Sequence, residues 1–200
     1  MTQLGFFVDV AKCVGCKTCV IACKDKKDLG VGRNFRRVVE YAGGEWEEVD
    51  GAWTQDVFAY YVSIACNQCA DPACVKVCPT GAHAKRASDG LVLIEREKCI
   101  GCRACEQACP YGAPQFDAAA KKMTKCDACV DLLAKGQQPA CVASCPQRAL
   151  EFGDIVALRA KHGALAAIAP LPLPITKPSL VVNAPRTAKA SGDKSGTVYR

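Results

Sequence analysis

Apolar residues in this chain come in short runs, and most of the runs stop at a cysteine, a glycine or a proline. Leu4, Phe6, Phe7 and Val8 predict a strand that feeds straight into Cys13. Val20, Ile21 and Ala22 predict a helical turn running out through Cys23. Leu91, Val92, Leu93 and Ile94 predict another strand, again followed by cysteines. Between these lie Arg37-Val38-Val39-Glu40-Tyr41 and the run from Val57 to Val62, both strand-like, with turn signals at Gly43-Gly44 and Asp50-Gly51. Asp154 is placed to cap a helix through Ile155, Val156 and Leu158 that ends near Gly163. The prolines from Pro170 to Pro185 predict an extended segment. Residues 186–200, small and polar, are expected to order only on a partner. The late apolar stretch from Ala164 to Leu173 carries Pro170 and Pro172 and falls well short of the ~20 residues of a membrane helix. No direct membrane span is expected.

The runs are organised around cysteine, which supplies 16 of 200 residues. Cys13, Cys16, Cys19 and Cys23 are spaced C-x2-C-x2-C-x3-C, and Cys99, Cys102, Cys105 and Cys109 repeat that spacing. Cys66, Cys69, Cys74 and Cys78 read C-x2-C-x4-C-x3-C; Cys126, Cys129, Cys141 and Cys145 read C-x2-C-x11-C-x3-C. The stretches KCVGCKTC (12–19) and KCIGCRAC (98–105) form an internal repeat. Gly15 and Gly101 stand between ligands, where a side chain would crowd a bound group and a flexible backbone can turn N–H groups toward sulfide. This is ligand arithmetic for four 4Fe–4S clusters, with iron bound through all sixteen thiolates. A disulfide scaffold needs an oxidising compartment, and no secretion signal precedes the first group. Four-cysteine zinc sites use two C-x2-C hooks with a longer stretch between them, a layout that the last group alone approaches.

In the two-cluster ferredoxin pattern the fourth cysteine of a run ligates the other cluster, so the groups must pair. Spacing alone leaves the pairing open. The short stretch from Pro79 to Lys98 suits groups two and three as one unit, and groups one and four would form a second unit around it. The expected fold class is α+β: two ferredoxin-like units, one inserted in the other, with a β-hairpin insertion and an extended C-terminal tail. The boundaries follow as residues 1–30 with 119–152 for the outer unit, 31–65 for the insertion, 66–118 for the inner unit and 153–200 for the helix and tail.

Charge changes the picture little. The net charge of +6 is spread along the chain. The tail's Lys177, Arg186, Lys189, Lys194 and Arg200 lack the aromatic interleaving of a nucleic-acid surface, so no nucleic acid is expected. Pro79, Pro110 and Pro146 follow fourth cysteines and direct the chain away from the site, whereas Lys24 follows Cys23. Lys24 is read as a solvated side chain before it is read as a cation tuning a potential. Lys76, Lys85, Arg86, Lys98 and Arg103 either tune or solubilise. His83 is read first as a surface or hydrogen-bonded histidine and second as a proton handler beside an electron entry point. His162 is expected at the surface, and Trp46 and Trp53 in packing or an interface. Asp9, Glu95, Glu97, Asp117 and Asp127 form no acid–base pair, and there is no dinucleotide loop, P-loop or H-E-x-x-H motif. No catalytic residue is assigned; substrate chemistry belongs to another subunit.

The stretches GFFVDVAKCVGCKTCVIACKD (5–25), FRRVVEYAGG (35–44), VFAYYVSIACNQCADPACVKVCPTGA (57–82), CIGCRACEQACPYGAPQF (99–116) and ALEFGDI (149–155) resemble the electron-transfer B subunits of anaerobic dimethyl sulfoxide reductases. APLP (169–172) and TKPS (176–179) extend the likeness over nearly the whole sequence. The resemblance implies four ligand sets. Cys13, Cys16, Cys19 and Cys145 hold one cluster, and Cys23, Cys126, Cys129 and Cys141 hold a second. Cys66, Cys69, Cys74 and Cys109 hold a third, and Cys78, Cys99, Cys102 and Cys105 hold a fourth. It also implies partners: a molybdopterin catalytic subunit that reduces an S- or N-oxide, and an integral membrane anchor that oxidises quinol in anaerobic respiration. The chain would then lie peripheral to the cytoplasmic membrane. Co-export with a catalytic subunit carrying a twin-arginine signal would place it on the periplasmic face, and the missing signal here equally fits a cytoplasmic-facing enzyme. The cysteine framework is shared with relay subunits of formate dehydrogenase, polysulfide reductase and tetrathionate reductase, which stand as alternatives. A free polyferredoxin carrier is a further alternative, disfavoured by the positive charge and the long tail.

Overall fold

The structure is a computed structural model that describes residues 2–200. It is α+β, with small sheets and short helices strung between cysteines. In chain order the elements are β1 (Leu4–Asp9), α1 (Thr18–Lys26), β2 (Arg37–Gly43), β3 (Trp46–Val49), β4 (Ala52–Gln55), β5 (Phe58–Ile64), α2 (Ala73–Lys76), β6 (His83–Lys85), β7 (Val92–Ile94), α3 (Ala104–Ala108), β8 (Gln115–Asp117) and β9 (Lys122–Thr124). They continue with α4 (Val130–Leu133), α5 (Ala140–Ala143), β10 (Leu150–Asp154), α6 (Ile155–His162), β11 (Leu180–Asn183) and β12 (Gly196–Tyr199).

β1 is apolar at consecutive positions because both of its faces are covered. Phe6 and Val8 enter the main core with Cys19, Cys23, Cys126, Cys141 and Cys145, while Phe7 packs with Ile155, Leu158 and Val181. Its neighbours in the sheet are β10, antiparallel through Phe6 opposite Phe152, and β11, parallel through Phe6 opposite Leu180. Asp154 ends β10 and caps α6, its Oδ1 accepting from the N–H groups of Val156 and Ala157 at 2.9 and 3.1 Å. The expected helix therefore starts and stops where the sequence placed it.

The stretch between the first two cysteine groups pairs β2 with β5, antiparallel, Arg37 opposite Ile64 through to Gly43 opposite Phe58. A second hairpin, β3–β4, projects from its tip and turns at Asp50-Gly51. The aromatic rings of Tyr41, Phe58 and Tyr60 pack together on the buried face of β2 and β5. Trp46 and Trp53, on the projecting hairpin, are 60% and 66% exposed and lie outside the core.

The tail departs from expectation. Residues 186–200 are not left unpaired: β12 lies antiparallel on β2, Val198 opposite Tyr41. Asp193 and Gly196 clasp the Tyr41 hydroxyl, which donates to Asp193 Oδ1 at 2.7 Å and accepts from the Gly196 N–H at 2.9 Å. The proline-rich stretch also holds a true strand, β11. Both elements close on distant parts of the same chain, which satisfies their backbone groups without a partner.

Candidate iron–sulfur centres

Each cysteine group begins in a loop and ends on or beside a helix. Lys17, between the second and third cysteines of the first group, takes a left-handed conformation (φ 59°) and begins α1; Arg103 does the same before α3 (φ 63°). The repeat read from the sequence is thus a repeat of backbone geometry. Gly15 (φ +70°) lies under the Tyr61 ring and Gly101 (φ +72°) under the Lys121 carbonyl, so what a side chain would crowd is the protein wall. α1 packs on α5, and α2 on α3.

None of the cysteines is disulfide-bonded. One small cavity is walled by Cys13, Cys16, Cys19 and Cys145 together with Val8, Val38 and Leu150. A second is walled by Cys66, Cys69, Cys74 and Cys109 with Val92, Ala113 and Pro114. A third is walled by Cys23, Cys126, Cys129 and Cys141 with Phe6, Phe35 and Ala65. Cys78, Cys99 and Cys105 share an apolar cluster with Cys74, Ala82, Val92 and Met123, and Cys102 stands exposed beside them. Among the described residues no three His, Cys, Asp or Glu side chains converge on one ion.

The surroundings of the sulfurs fit an iron–sulfur core. N–H groups of Ala113, Met123, Ala128 and Ala149 donate to Cys109, Cys99, Cys126 and Cys145 at 3.5, 3.4, 3.4 and 3.3 Å. Hydroxyls lie against others: Thr18 donates to Cys16 at 3.4 Å, and Ser63 and Thr176 are 3.4 and 3.2 Å from Cys19 and Cys69. These are the donors that stabilise thiolate and sulfide charge. Burial pushes the thiols of Cys23, Cys69 and Cys105 up to about 11 and that of Cys74 up to about 12. A thiolate at such a place needs a bound cation to hold its charge.

The thiol sets also adjoin one another. Cys19 feels the charge of Cys141, and Cys126 feels that of Cys66. Cys74 shares its apolar cluster with Cys99 and Cys105. Cys16 and Cys102, equivalent members of the repeat, are the two exposed cysteines.

The sequence matches a 4Fe-4S dicluster domain over residues 57–155 and a 4Fe-4S binding domain over residues 11–30. It is 57% identical to the B subunit of anaerobic dimethyl sulfoxide reductase from Escherichia coli, over 98% of this chain and 95% of that protein. It is 58% identical to the corresponding B subunit from Haemophilus influenzae, over 98% and 96%. The B subunit of sulfite dehydrogenase from Allochromatium vinosum is 37% identical over 78% of this chain and 70% of its own length. This protein belongs to the B-subunit family of anaerobic dimethyl sulfoxide reductases. Members of this family are iron–sulfur electron-transfer subunits rather than catalytic ones. Among the acids singled out in the sequence, Asp117 pairs with Arg33 and Arg96, Asp127 with Lys27, and Glu95 with Lys98.

Several single-residue readings change within this family frame. His83 is neither at the surface nor hydrogen-bonded through its ring. It is 3% exposed and both ring nitrogens lack a partner; burial, with a smaller push from Lys125, brings its pKa down to about 4. Its side chain therefore faces no solvent with which to trade protons. His162 is not freely exposed either, because it stacks on Phe7 at 3.7 Å and meets Glu151 at 3.2 Å. Lys24 is engaged rather than solvated, donating to the carbonyls of Gly30 and Arg33 at 2.9 and 3.1 Å. Lys85 likewise ties down the carbonyls of Cys69 and Gly90, each at 2.9 Å. Arg86, Lys98 and Arg103 pair locally with Asp89, Glu95 and Glu106, as solvated cations do. Two cations escaped the sequence reading altogether. Arg36, 1% exposed, and Lys125, 6% exposed, lie among the cysteines. Their sequence context, a strand entry and a residue before a cysteine, carries no signal of burial.

Proposed function

We propose that this protein carries electrons through four 4Fe–4S clusters between a membrane anchor that oxidises quinol and a molybdopterin subunit that reduces an S- or N-oxide. Cys13, Cys16, Cys19 and Cys145 hold the first cluster, and Cys23, Cys126, Cys129 and Cys141 the second. Cys66, Cys69, Cys74 and Cys109 hold the third, and Cys78, Cys99, Cys102 and Cys105 the fourth. The observation that carries this reading is that three cavities are each walled by four cysteines drawn from two sequence groups, in the combinations just given. Groups one and four then make the outer ferredoxin-like unit (1–30 with 119–152), and groups two and three the inner one (66–118). The packing of α1 on α5 and of α2 on α3 supports that division.

When bound, the clusters supply one-electron carriers. The protein supplies the rest. Thiolates and N–H donors fix each centre, apolar walls such as Phe6, Val38 and Val92 exclude water, and the sequence of adjoining thiol sets keeps the centres in a row. Cys16 and Cys102 expose the first and fourth sets, one at either end, where docked subunits would exchange electrons. The test is the iron-to-molybdenum ratio of the complex recovered from anaerobic membranes through a tag on this protein. Stoichiometric molybdenum with iron for four clusters supports the relay. Iron without molybdenum would leave a free carrier, and zinc without iron would overturn the ligand sets.

A further inference from the structure

The buried guanidinium of Arg36 has no acidic partner. It is 1% exposed, and no ion pair among the described residues includes it. Its Nη2 donates to Cys141 Sγ at 3.3 Å and its Nη1 to the Ser63 carbonyl at 3.4 Å, while Nε has no acceptor. Its carbon centre lies 4.6 Å over the Phe6 ring. An isolated cation at such a depth costs several kcal/mol unless anions surround it. The anions here are sulfurs. Burial works to lower the pKa of Arg36, but the charges of Cys141, Cys126 and Cys19 outweigh it and hold the group more firmly protonated. Cys23, Cys126 and Cys141 belong to the second proposed ligand set and Cys19 to the first, so the cation sits where the two sets meet.

We infer that Arg36 is a positioning residue that raises the reduction potentials of the first and second centres and keeps electrons moving between them. The inference rests on the ligand sets proposed above. Reduction adds one electron, and hence one negative charge, to a centre; no bond is made or broken and no proton is required. A fixed cation attracts the reduced form more strongly than the oxidised one, so its removal lowers the potential. The Nη2–Sγ bond acts in the same direction on the second centre. Arg37 offers a contrast within one residue. It begins β2, donates to the Tyr111 carbonyl at 2.6 Å and lines an open cleft with Lys17 and Arg200.

The experiment is a redox titration of the intact complex followed by electron paramagnetic resonance, for the wild type, Arg36→Gln and Arg36→Lys, with iron measured on the same samples. For Arg36→Gln, two of the signals shift to lower potential by on the order of tenfold in the reduced-to-oxidised ratio, about 59 mV for a one-electron couple, and the others hold. Arg36→Lys keeps the charge and loses the fork, so the same signals shift less. Full iron with every potential unchanged in both variants would make Arg36 a structural cation and overturn the inference. If Arg36→Gln fails to retain iron, Arg36→Lys alone decides: a smaller downward shift of the same signals supports the inference, and no shift overturns it. A wild-type complex without iron for four clusters would sink the ligand sets themselves, whatever the variants do.

Discussion

Gly101 offers the sharpest test of the loop geometry. A methyl group added at this position would sit 2.4 Å from the Lys121 carbonyl oxygen, and the backbone is already left-handed at φ +72°. Gly81, in another loop of the same proposed ligand set, shares the conformation at φ +65° but has nothing within 4 Å of the added carbon. The conformational cost of alanine is common to both, about 1–2 kcal/mol. The clash is not, because a carbonyl on a neighbouring strand turn cannot rotate aside, and an overpacked contact of that kind costs a further ~1–3 kcal/mol. Gly101→Ala is therefore expected to lose roughly 2–5 kcal/mol and Gly81→Ala about 1–2. For a chain of this size each kcal/mol is worth ~2–4 °C in melting temperature. The assay is a thermal ramp of the anaerobically purified protein, following its visible cluster absorbance and iron content. Gly101→Ala should melt earlier and release iron first. If it proves as stable as Gly81→Ala, the repeat loop is not held against Lys121 and the account of the glycine between ligands is wrong.

Further expectations concern the thiols, the metal and the tail. Cys102→Ser changes an exposed position and should leave the fold and most of the iron intact while altering the resonance spectrum and slowing quinol-linked turnover; an unchanged spectrum with unchanged turnover would contradict the fourth ligand set. Cys126→Ser changes a buried one (8% exposed) and should prevent accumulation of iron-loaded protein, which an iron assay and a gel would read. Anaerobic chelation of iron should collapse the circular dichroism together with the colour, since the sulfurs lie inside the main core; a stable, colourless fold would show that packing alone suffices. Tyr41→Phe removes bonds to Asp193 and Gly196, an expected loss of about 1–2 kcal/mol, visible as faster hydrogen exchange over residues 193–199 with no change in iron.

Much of the site was legible because chemistry dictated spacing. The cysteine spacings, the glycines within two of the runs and the helical turn running out through Cys23 all follow from short-range rules. The arginine between the first two proposed ligand sets did not. Arg36 directly precedes a strand that opens on another arginine, and nothing local separates the buried residue from the half-exposed one. That distinction comes from the other side of the core, from Phe6, Ser63 and Cys141. His83 failed for the same reason. Its short strand pairs with β7 opposite Ile94, and the covering apolar cluster is assembled from residues far along the chain.

The tail shows why composition misled. Small polar residues and prolines lack the apolar area to order themselves, yet order does not require a partner subunit if the protein itself presents open backbone. β1 leaves one edge free for Leu180–Asn183, and β2 leaves one for Gly196–Tyr199. The segment between them and the earlier prolines bonds directly to the second cysteine loop: Ala70 donates to the Lys177 carbonyl at 2.8 Å, Ser179 to that of Asn67 at 2.9 Å, and Thr176 rests 3.2 Å from Cys69 Sγ. A tail so engaged covers Cys69 and joins strands of two sheets. Its prolines then make sense as well. They supply no N–H that would have to be satisfied, and the chain turns among them, Leu171 donating to the Ile168 carbonyl at 2.8 Å and Lys177 to that of Pro174 at 3.0 Å, rather than running extended as the sequence suggested.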